Sequence, residues 1–293
     1  MRAFQKVWNQ QFNRDPAATL VALKQLQSTP DLDGRIATVL GLVLKQFRFI
    51  HKLEVSGIAT ELKPYQKAGA LFLFSQSAAI LGDEPGLGKT LQAIAATELL
   101  RSQMDAGINI KALVIAPASV KATWQTQLGL EADGGHLSIE RNVVVIEGTR
   151  EEKEKLALQS AKVDYVIVNY AYLGGLIKTL NDETADPKAV ASAQKQWDEI
   201  IANVTIKIVD ESQMIQNPKD EVLRARAVRA IDAKIKWHLT ATPYYGHVEH
   251  IWSLLNDLEP GQHGSLSEFK TAHRTDPSGL VTLYARLQKL MLR

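Results

Sequence analysis

Short, nearly continuous apolar runs alternate with helix-forming segments from about residue 60 onward. Strands that are buried on both faces of a parallel sheet have this composition, and the segments between them supply the helical crossovers. The pattern therefore predicts an α/β fold, with a parallel sheet covered by helices. The strand candidates, which as a set are rich in Val and Ile, are 78–82, 111–116, 142–146, 163–168, 204–209 and 236–240.

The first 55 residues have a different pattern and contain none of the motifs described below. Apolar positions recur at mixed spacings of three and four over 17–27 and 35–50, and Asp31 and Asp33 are plausible helix caps. We interpret 1–55 as a helical N-terminal segment that serves in packing or as an adaptor.

A glycine-rich loop over residues 82–90, Gly-Asp-Glu-Pro-Gly-Leu-Gly-Lys-Thr, follows the first strand candidate. Such a loop can wrap its N–H groups around a polyphosphate, while Lys89 reaches the β- and γ-phosphates and the Thr90 hydroxyl ligates Mg²⁺. A helix-forming run over 91–96 comes next, so the positive end of its dipole would face the phosphates. The predicted nucleotide-binding residues of this loop are Gly86, Leu87, Gly88, Lys89 and Thr90.

Two adjacent carboxylates, Asp210 and Glu211, end the strand candidate 204–209. Asp210 at the strand tip can hold the Mg²⁺ shell, and Glu211 can polarise a water for in-line attack on a γ-phosphate. An isolated Asp-Glu pair is most simply a capped strand end. Because this pair lies about 120 residues after a phosphate-binding loop, the catalytic interpretation is favoured.

Small hydroxyl residues end the last strand candidate, in the stretch Trp-His-Leu-Thr-Ala-Thr-Pro over 237–243. Asp83, Pro117 and Asp210 each follow a strand candidate directly, and Thr240 is the last residue of one. The carboxyl ends of parallel strands lie on one edge of a sheet, where ligands bind. We therefore expect these residues to converge on one rim.

Composition narrows the class of protein. Lys and Arg number 34 against 32 Asp and Glu, so the net charge of +2 does not indicate a broad nucleic-acid-binding face, and any DNA contact requires a local patch. The chain has no cysteine, which excludes disulfides and thiolate metal sites. With no signal-peptide-like start and no apolar run near the roughly 20 residues of a membrane span, we expect no membrane partner and a cytoplasmic or nucleoid-associated protein.

In order, these motifs resemble the first RecA-like lobe of superfamily-2 helicases, specifically the SWI/SNF-type translocases on double-stranded DNA. The resemblance covers about residues 60–293, and the stretch 249–261 separates this branch from the RNA helicases of the same superfamily. The other matching segments are 62–69 (adenine contact), 83–90 (motif I), 113–124 (motif Ia), 164–170 (the strand leading into motif Ib), 210–213 (motif II) and 239–243 (motif III).

The chain departs from the family pattern at several positions. Pro85 replaces the usual Met, Ala241 the usual Gly, and Gln213 a His that helps to couple nucleotide state to motif III. Met214 and Gln216 stand where the family usually has basic residues that approach the DNA track. Because Gln can still form hydrogen bonds, these departures concern the grip on DNA more than ATP chemistry.

The resemblance implies a RecA-like P-loop NTPase fold over 56–262, with a helical tail over 263–293 that leads toward a second RecA-like lobe, in cis or in trans. It implies ATP and Mg²⁺ as ligands, with Lys89, Asp210 and Glu211 catalytic and with Gln66, Gln213 and Thr240 around the nucleotide. It also implies a DNA-dependent ATPase that hydrolyses weakly without the second lobe. The candidate contacts to double-stranded DNA are Ser119, Lys121, Asn169 and Tyr170.

Trp124 lies on the helix after motif Ia, near the expected DNA rim, where packing is favoured over stacking on bases. Two other functions stay open at this point. One is an RNA- or DNA-unwinding helicase lobe of another branch, and the other is a nucleotide-sensing interaction module that does not hydrolyse ATP productively.

Overall fold

The computed structural model describes residues 53–104, 109–218, 222–243, 248–274 and 277–292. The predicted helical segment over 1–55 therefore lies almost entirely outside the described residues. Among those residues, no helix has both the length and the apolar character to cross a bilayer.

Helices and strands alternate through most of the described chain. In chain order they are α1 (Pro64–Phe74), β1 (Ala78–Leu81), α2 (Lys89–Gln103), β2 (Lys111–Ala116), α3 (Lys121–Gln127), β3 (Val143–Val145), α4 (Arg150–Ala157), β4 (Tyr165–Asn169), α5 (Tyr170–Leu180), α6 (Pro187–Ile201), β5 (Val204–Asp210), α7 (Leu223–Arg229), β6 (Ile235–Leu239), α8 (Val248–Leu258), α9 (Leu266–Arg274), α10 (Pro277–Leu290) and β7 (Met291–Leu292). Short 3₁₀ helices lie at Ala118–Val120, Glu131–Asp133, Ser160–Lys162 and Ser212–Ile215.

The seven strands form one sheet in the order β3-β4-β2-β5-β6-β1-β7, and every strand pair is parallel. The predicted α/β fold with a parallel sheet is therefore confirmed, and the six strand candidates agree with β1–β6 to within two residues at each end. β7 was not predicted, because two residues that follow a helix directly are too short to show a strand pattern.

β7 brings the segment 263–293 into the sheet. Its two residues pair with β1, and the Gly82 N–H donates to the carbonyl of Leu292 at 2.7 Å. The segment that the sequence sets apart as a helical tail thus ends on the strand that precedes the glycine-rich loop.

Two apolar cores lie on the two faces of the sheet. Ile206 and Ile208 of β5 belong to the core under α1 and α2, whereas Val209 belongs to the core under α5–α8. All six residues of β2 are buried. A smaller cluster joins α8, α9 and α10 around Leu255 and Phe269. The central strands are therefore covered on both faces, which explains their continuous hydrophobicity.

Polar side chains cap the first turns of several helices. The Asn169 side chain, at the end of β4, accepts a hydrogen bond from the Tyr172 N–H at 2.8 Å and so starts α5. Asp186 caps α6 ahead of a proline at the first helical position, and Thr149 and Glu152 form a capping box on α4. These caps satisfy N–H groups that have no partner within the helix.

Two buried lysines donate hydrogen bonds to the carbonyls at the C-terminal ends of helices. Lys111, the first residue of β2, donates to the carbonyls of residues 199, 200 and 202 at the end of α6, at 3.1, 2.8 and 2.9 Å. Lys207 of β5 donates to the carbonyls of Val228, in the last turn of α7, and Ile231, just after it, and also to the Asp257 carboxylate at 2.8 Å. Both ammonium groups therefore lie at the negative ends of helices, where cations are stabilising.

A buried carboxylate, Glu98 of α2, occupies the same amino-terminal side of the sheet. Its oxygens accept from Arg141 at 2.5 Å and from the Tyr165 hydroxyl at 3.0 Å, and Arg101 lies 3.3 Å away. Arg101 also donates to Asp164 at 3.0 Å. This network links α2 to the starts of β3 and β4.

Candidate functional site

The glycine-rich loop between β1 and α2 requires glycine at two positions. Gly86 and Gly88 have φ of 83° and 73°, a region that residues with a Cβ rarely adopt. A Cβ on Gly88 would also lie 2.6 Å from Nε2 of Gln66. Gly88 is the residue before α2, so the free N–H groups of the first helical turn point toward the loop, which is a geometry that binds anions.

The Lys89 ammonium lies inside this loop. It donates to the main-chain oxygens of Asp83 at 2.9 Å and Glu84 at 3.3 Å, both of which belong to the loop itself. Thr90 is the next residue and is partly exposed. The predicted phosphate-binding loop, lysine and hydroxyl are therefore assembled at the carboxyl end of β1.

Gln92 of α2 holds the glycine-rich loop through two hydrogen bonds, although it was not predicted from the sequence. Its fully buried amide donates to the Asp83 carboxylate at 3.0 Å and to the carbonyl of Leu87 at 3.2 Å. A Cβ on Gly69 would lie 1.6 Å from Oε1 of Gln92, so Gly69 leaves the space that this side chain fills. Burial raises the pKa of Asp83, which the Gln92 donor and the Lys89 charge oppose. The sequence does contain a signal for this role, because Gln92 is a polar residue within the otherwise apolar run over 91–96 of α2.

Gln66, the predicted adenine contact, lies against the same loop. Its carbonyl oxygen accepts from the Lys63 N–H at 3.0 Å, and its amide donates to Leu87 at 3.5 Å. The structure thus brings Gln66 together with Leu87 and Gly88, and its contact with adenine stays a prediction.

Asp210 ends β5 and is 8% exposed. One carboxylate oxygen accepts from the Glu211 N–H at 2.9 Å and the other from Nε1 of Trp124 at 2.8 Å. Burial raises the pKa of Asp210, while the Trp124 donor and the positive charge of Lys89 act in the opposite direction. Since only β6 separates β5 from β1, the two motifs end roughly 10 Å apart on the same rim.

A chain of hydrogen bonds joins Glu211 to the end of β6. The Gln213 amide donates to Glu211 at 2.6 Å, and the Thr240 hydroxyl donates to the Gln213 carbonyl oxygen at 2.7 Å. The Thr240 oxygen in turn accepts from the Thr242 N–H at 3.1 Å. Glu211 has φ of 50°, unusual for a residue with a side chain, which turns it out of the strand direction. Gln213, which the resemblance places near the nucleotide, therefore bridges Glu211 and Thr240 through two direct hydrogen bonds.

The four predicted DNA contacts differ in exposure. Ser119 is exposed in the 3₁₀ turn Ala118–Val120. Lys121 is 5% exposed and donates to the carbonyl of Ile146 at 2.8 Å. The Asn169 side chain caps α5, and the buried Tyr170 hydroxyl donates to the main-chain oxygen of Asp210 at 2.5 Å. Three of the four side chains thus have structural partners, and Ser119 is the one that faces solvent.

Met214 and Gln216, at positions where the resemblance suggests a DNA track, are directed inward. Gln216 is buried and donates to the carbonyls of Thr242 and Pro243 at 3.1 and 3.3 Å. Met214 is partly buried and packs against the core under α5–α8. Gln216 therefore ties the turn after β5 to the turn after β6.

The donor atoms on the rim fit Mg²⁺ that arrives with a phosphate ligand. Thr90, Asp210 and Glu211 offer hydroxyl and carboxylate oxygens, the ligands that this ion prefers. Within the described ranges, no group of three His, Asp or Glu side chains could hold a metal ion without further ligands. Mg²⁺ commonly binds through one or two carboxylates together with substrate phosphates and water, so the rim suits a metal–nucleotide complex.

Comparison with known proteins gives a consistent assignment. Residues 8–293 match the family model described as SNF2-related domain. The chain is 27% identical over 235 residues to the DNA excision repair protein ERCC-6-like 2 of Mus musculus, covering 71% of this chain and 14% of that protein. It is 28% identical over 249 residues to Protein CHROMATIN REMODELING 5 of Arabidopsis thaliana, covering 80% and 13%. The chain therefore spans about one seventh of the length of these relatives.

Solved structures give the same picture. The SWI2/SNF2 ATPase core of Sulfolobus solfataricus in complex with dsDNA has a TM-score of 0.61 and 27% identity to this chain. The match covers 82% of this chain and 46% of that one. The core domain of the same organism, in a second structure, has a TM-score of 0.60 and 26% identity.

Proposed function

Because this chain belongs to the family of SNF2-related domains, we propose that it is the ATP-binding first lobe of an ATP-dependent translocase or remodeller on double-stranded DNA. The observation that carries this proposal is the meeting of two motifs on one rim. The loop that surrounds Lys89 and the strand tip with Asp210 and Glu211 are close enough for the Lys89 charge to act on Asp210.

Lys89 and the first turn of α2 would bind the β- and γ-phosphates. The ammonium already lies in the hollow of the loop, and it would exchange the Asp83 and Glu84 carbonyls for phosphate oxygens. Thr90 and Asp210 would hold Mg²⁺, which neutralises charge on the phosphates during transfer. Gln66, next to Leu87, would contact the adenine.

Glu211 would act as the general base. Its carboxylate would accept a proton from the attacking water as the water oxygen bonds to the γ-phosphorus and the bond to the β-phosphate oxygen breaks. The Gln213 amide, 2.6 Å away, fixes the orientation of Glu211. Through Thr240, the same hydrogen bonds would connect the state of the γ-phosphate to the turn after β6.

Full activity would need a second RecA-like lobe, in cis or in trans. The support is that this chain covers 46% of the matched ATPase core. An arginine supplied from outside the lobe contributes roughly 10³–10⁵-fold in comparable NTPases. We therefore propose that this chain alone binds ATP and hydrolyses it slowly.

Double-stranded DNA is the proposed partner, because the matched structure is described as a complex with dsDNA. The exposed turn Ala118–Val120, with Ser119, is the part of the proposed contact that solvent can reach. Contacts of this kind would be mostly to phosphates and sensitive to salt.

Steady-state ATP hydrolysis tests the proposal. We expect a low rate for this chain, raised by duplex DNA when a chain that includes the second lobe is used, and lost in Lys89→Ala. A rate that stays flat on addition of both DNA and the second lobe would contradict hydrolysis coupled to DNA and favour a nucleotide-sensing module.

A strand-displacement assay on tailed duplexes separates the remaining alternative. A translocase of the proposed type tracks duplex DNA without separating its strands. Efficient unwinding of a tailed duplex would instead assign the chain to the unwinding helicases.

A further inference from the structure

Trp124 directs its indole N–H at a functional carboxylate rather than at the main chain. Nε1 lies 2.8 Å from Oδ2 of Asp210, and the whole side chain is buried. Trp237 offers an internal comparison, since it is equally buried but donates to the carbonyl of Gln76 at 3.1 Å. Both indoles fill a core, and they differ in the group that their N–H satisfies.

The hydrogen bond from Trp124 orients the Asp210 carboxylate and leaves other acceptor positions of that carboxylate free. An ionised carboxylate has about four acceptor positions, and the Glu211 N–H and the Trp124 N–H occupy two of those on Asp210. One position on each oxygen stays available for a metal ion or for a water bound to it. Phenylalanine at position 124 would fill similar space but leave Oδ2 buried without this donor.

Helix α3, which contains Trp124, is short and is anchored at two points. Lys121 in its first turn donates to the carbonyl of Ile146 after β3, and Trp124 one turn later donates to Asp210 at the end of β5. The exposed turn Ala118–Val120 precedes α3 without a gap. A displacement of that turn would therefore be passed to the seven-residue helix α3, whose buried Trp124 contacts Asp210.

We infer that Trp124 is a positioning residue that holds the Asp210 carboxylate in place for Mg²⁺, and that α3 connects this carboxylate to the exposed turn Ala118–Val120. The inference rests on the proposed function, because it gives Asp210 the metal. It deepens that function by naming a route from a surface contact to the metal-binding group.

The Mg²⁺ dependence of nucleotide hydrolysis provides the first test, with Trp124→Phe compared to Trp237→Phe. Both variants replace a fully buried indole by the same ring and remove one hydrogen bond. We expect Trp124→Phe to raise the Mg²⁺ concentration at half-maximal rate about tenfold, since bonds to charged groups are the stronger ones. Trp237→Phe is expected to leave it unchanged. The same half-maximal Mg²⁺ concentration in the two variants would overturn the inference.

A fluorine NMR measurement needs no Trp124 variant and no turnover. The wild-type chain is labelled with 5-fluorotryptophan, and the Trp124 resonance is assigned by replacing the other four tryptophans one at a time. With a non-hydrolysable ATP analogue present, titration of Mg²⁺ should shift the Trp124 resonance and leave that of Trp237 in place. A Trp124 resonance that stays fixed at saturating Mg²⁺ would refute the assigned role.

Addition of duplex DNA tests the connection to the turn. We expect DNA to lower the Mg²⁺ concentration at half-maximal shift in the wild type, and Ser119→Glu, which repels phosphates, to remove this effect. A half-maximal concentration that DNA leaves unchanged would overturn the connection. Failure of the proposed function gives a different result. If the chain binds no nucleotide, the wild type shows no binding of the ATP analogue at any Mg²⁺ or DNA concentration.

Discussion

The two edges of the sheet use the same kinds of residue in opposite ways. At the amino edge, Lys111 donates to three carbonyls at the end of α6, and Glu98 accepts from Arg141 and Tyr165. Both side chains are 1% exposed. At the carboxyl rim, Lys89 donates to two carbonyls of its own loop, and Glu211 accepts from the amide of a residue two positions away.

The partners explain the difference. The amino-edge groups bind to elements far away in the chain, so their bonds are part of the tertiary structure and cannot be exchanged without loosening it. The rim groups are partly exposed and have local partners, which a phosphate or a water can replace at small cost. Burial with complete pairing thus stabilises the fold, whereas partial exposure leaves a charged group available for chemistry.

Replacing one carboxylate at each edge by its amide should separate activity from stability most clearly. We expect Glu211→Gln to lower the single-turnover rate of ATP hydrolysis by roughly 10²–10⁴-fold, the usual contribution of a general base, without changing the melting temperature. Glu98→Gln, which removes the buried carboxylate paired with half-buried Arg141, should lower the free energy of unfolding and preserve the rate per folded molecule. A Glu211→Gln variant that hydrolyses ATP as fast as the wild type would show that Glu211 is not the general base.

Removal of the Lys111 ammonium should have the next largest effect. Lys111→Met leaves the carbonyls at the end of α6 without a donor, and we expect a loss of about 3 kcal/mol in the free energy of unfolding. Urea titration followed by circular dichroism measures it. Lys178→Met, at an exposed position in the last turn of α5, is the matched control and should change stability by less than about 0.5 kcal/mol. Similar losses of unfolding free energy in Lys111→Met and Lys178→Met would contradict the claim that the buried lysine stabilises the fold.

The bonds through Gln213 predict a smaller, non-additive effect. Gln213→Ala and Thr240→Val each break the connection between Glu211 and the end of β6, and each should lower the hydrolysis rate about tenfold. Because both remove the same chain of bonds, the double variant should be little worse than either single one. Fully additive losses would show that the two residues act independently.

The pH dependence of stability gives a further test of the amino-edge comparison. Burial lowers the pKa of Lys111 from 10.5 to about 8, so the folded chain releases this proton at a lower pH than the unfolded chain does. Between these two values the unfolded chain binds more protons, and Lys111 therefore contributes more stability as the pH rises. The gap in unfolding free energy between the wild type and Lys111→Met should widen from pH 8 to 10.5. A gap that narrows over this range would show that the charged form is the preferred one.

Much of the fold and of the rim could be predicted from the sequence, because both depend on local signals. β2 is buried along its whole length and is therefore continuously apolar after Lys111, and the loop over 82–90 has its glycines at fixed offsets from Lys89. Parallel strands then bring their carboxyl ends together without further information. The convergence of Lys89, Asp210 and Thr240 on one side of the sheet follows from these features.

The remaining features depend on contacts between distant parts of the chain. Lys121 and Tyr170 have the residue types of DNA contacts, yet their partners, at Ile146 and Asp210, lie 25 and 40 positions away and turn them inward. The Trp124 bond to Asp210 joins residues 86 positions apart. Periodicity identifies a buried position but cannot name the group that a buried N–H will meet.

Binding of the Mg²⁺–ATP complex to Lys89→Ala and to Lys111→Met tests the central claim most directly, with a fluorescent ATP analogue as the probe. We expect Lys89→Ala to lose measurable affinity and to melt within about 2 °C of the wild type, since a partly exposed contact within a loop contributes little stability. Lys111→Met should bind with wild-type affinity at temperatures where it is folded. Wild-type affinity in Lys89→Ala would contradict the claim that a triphosphate binds at the carboxyl rim of this sheet.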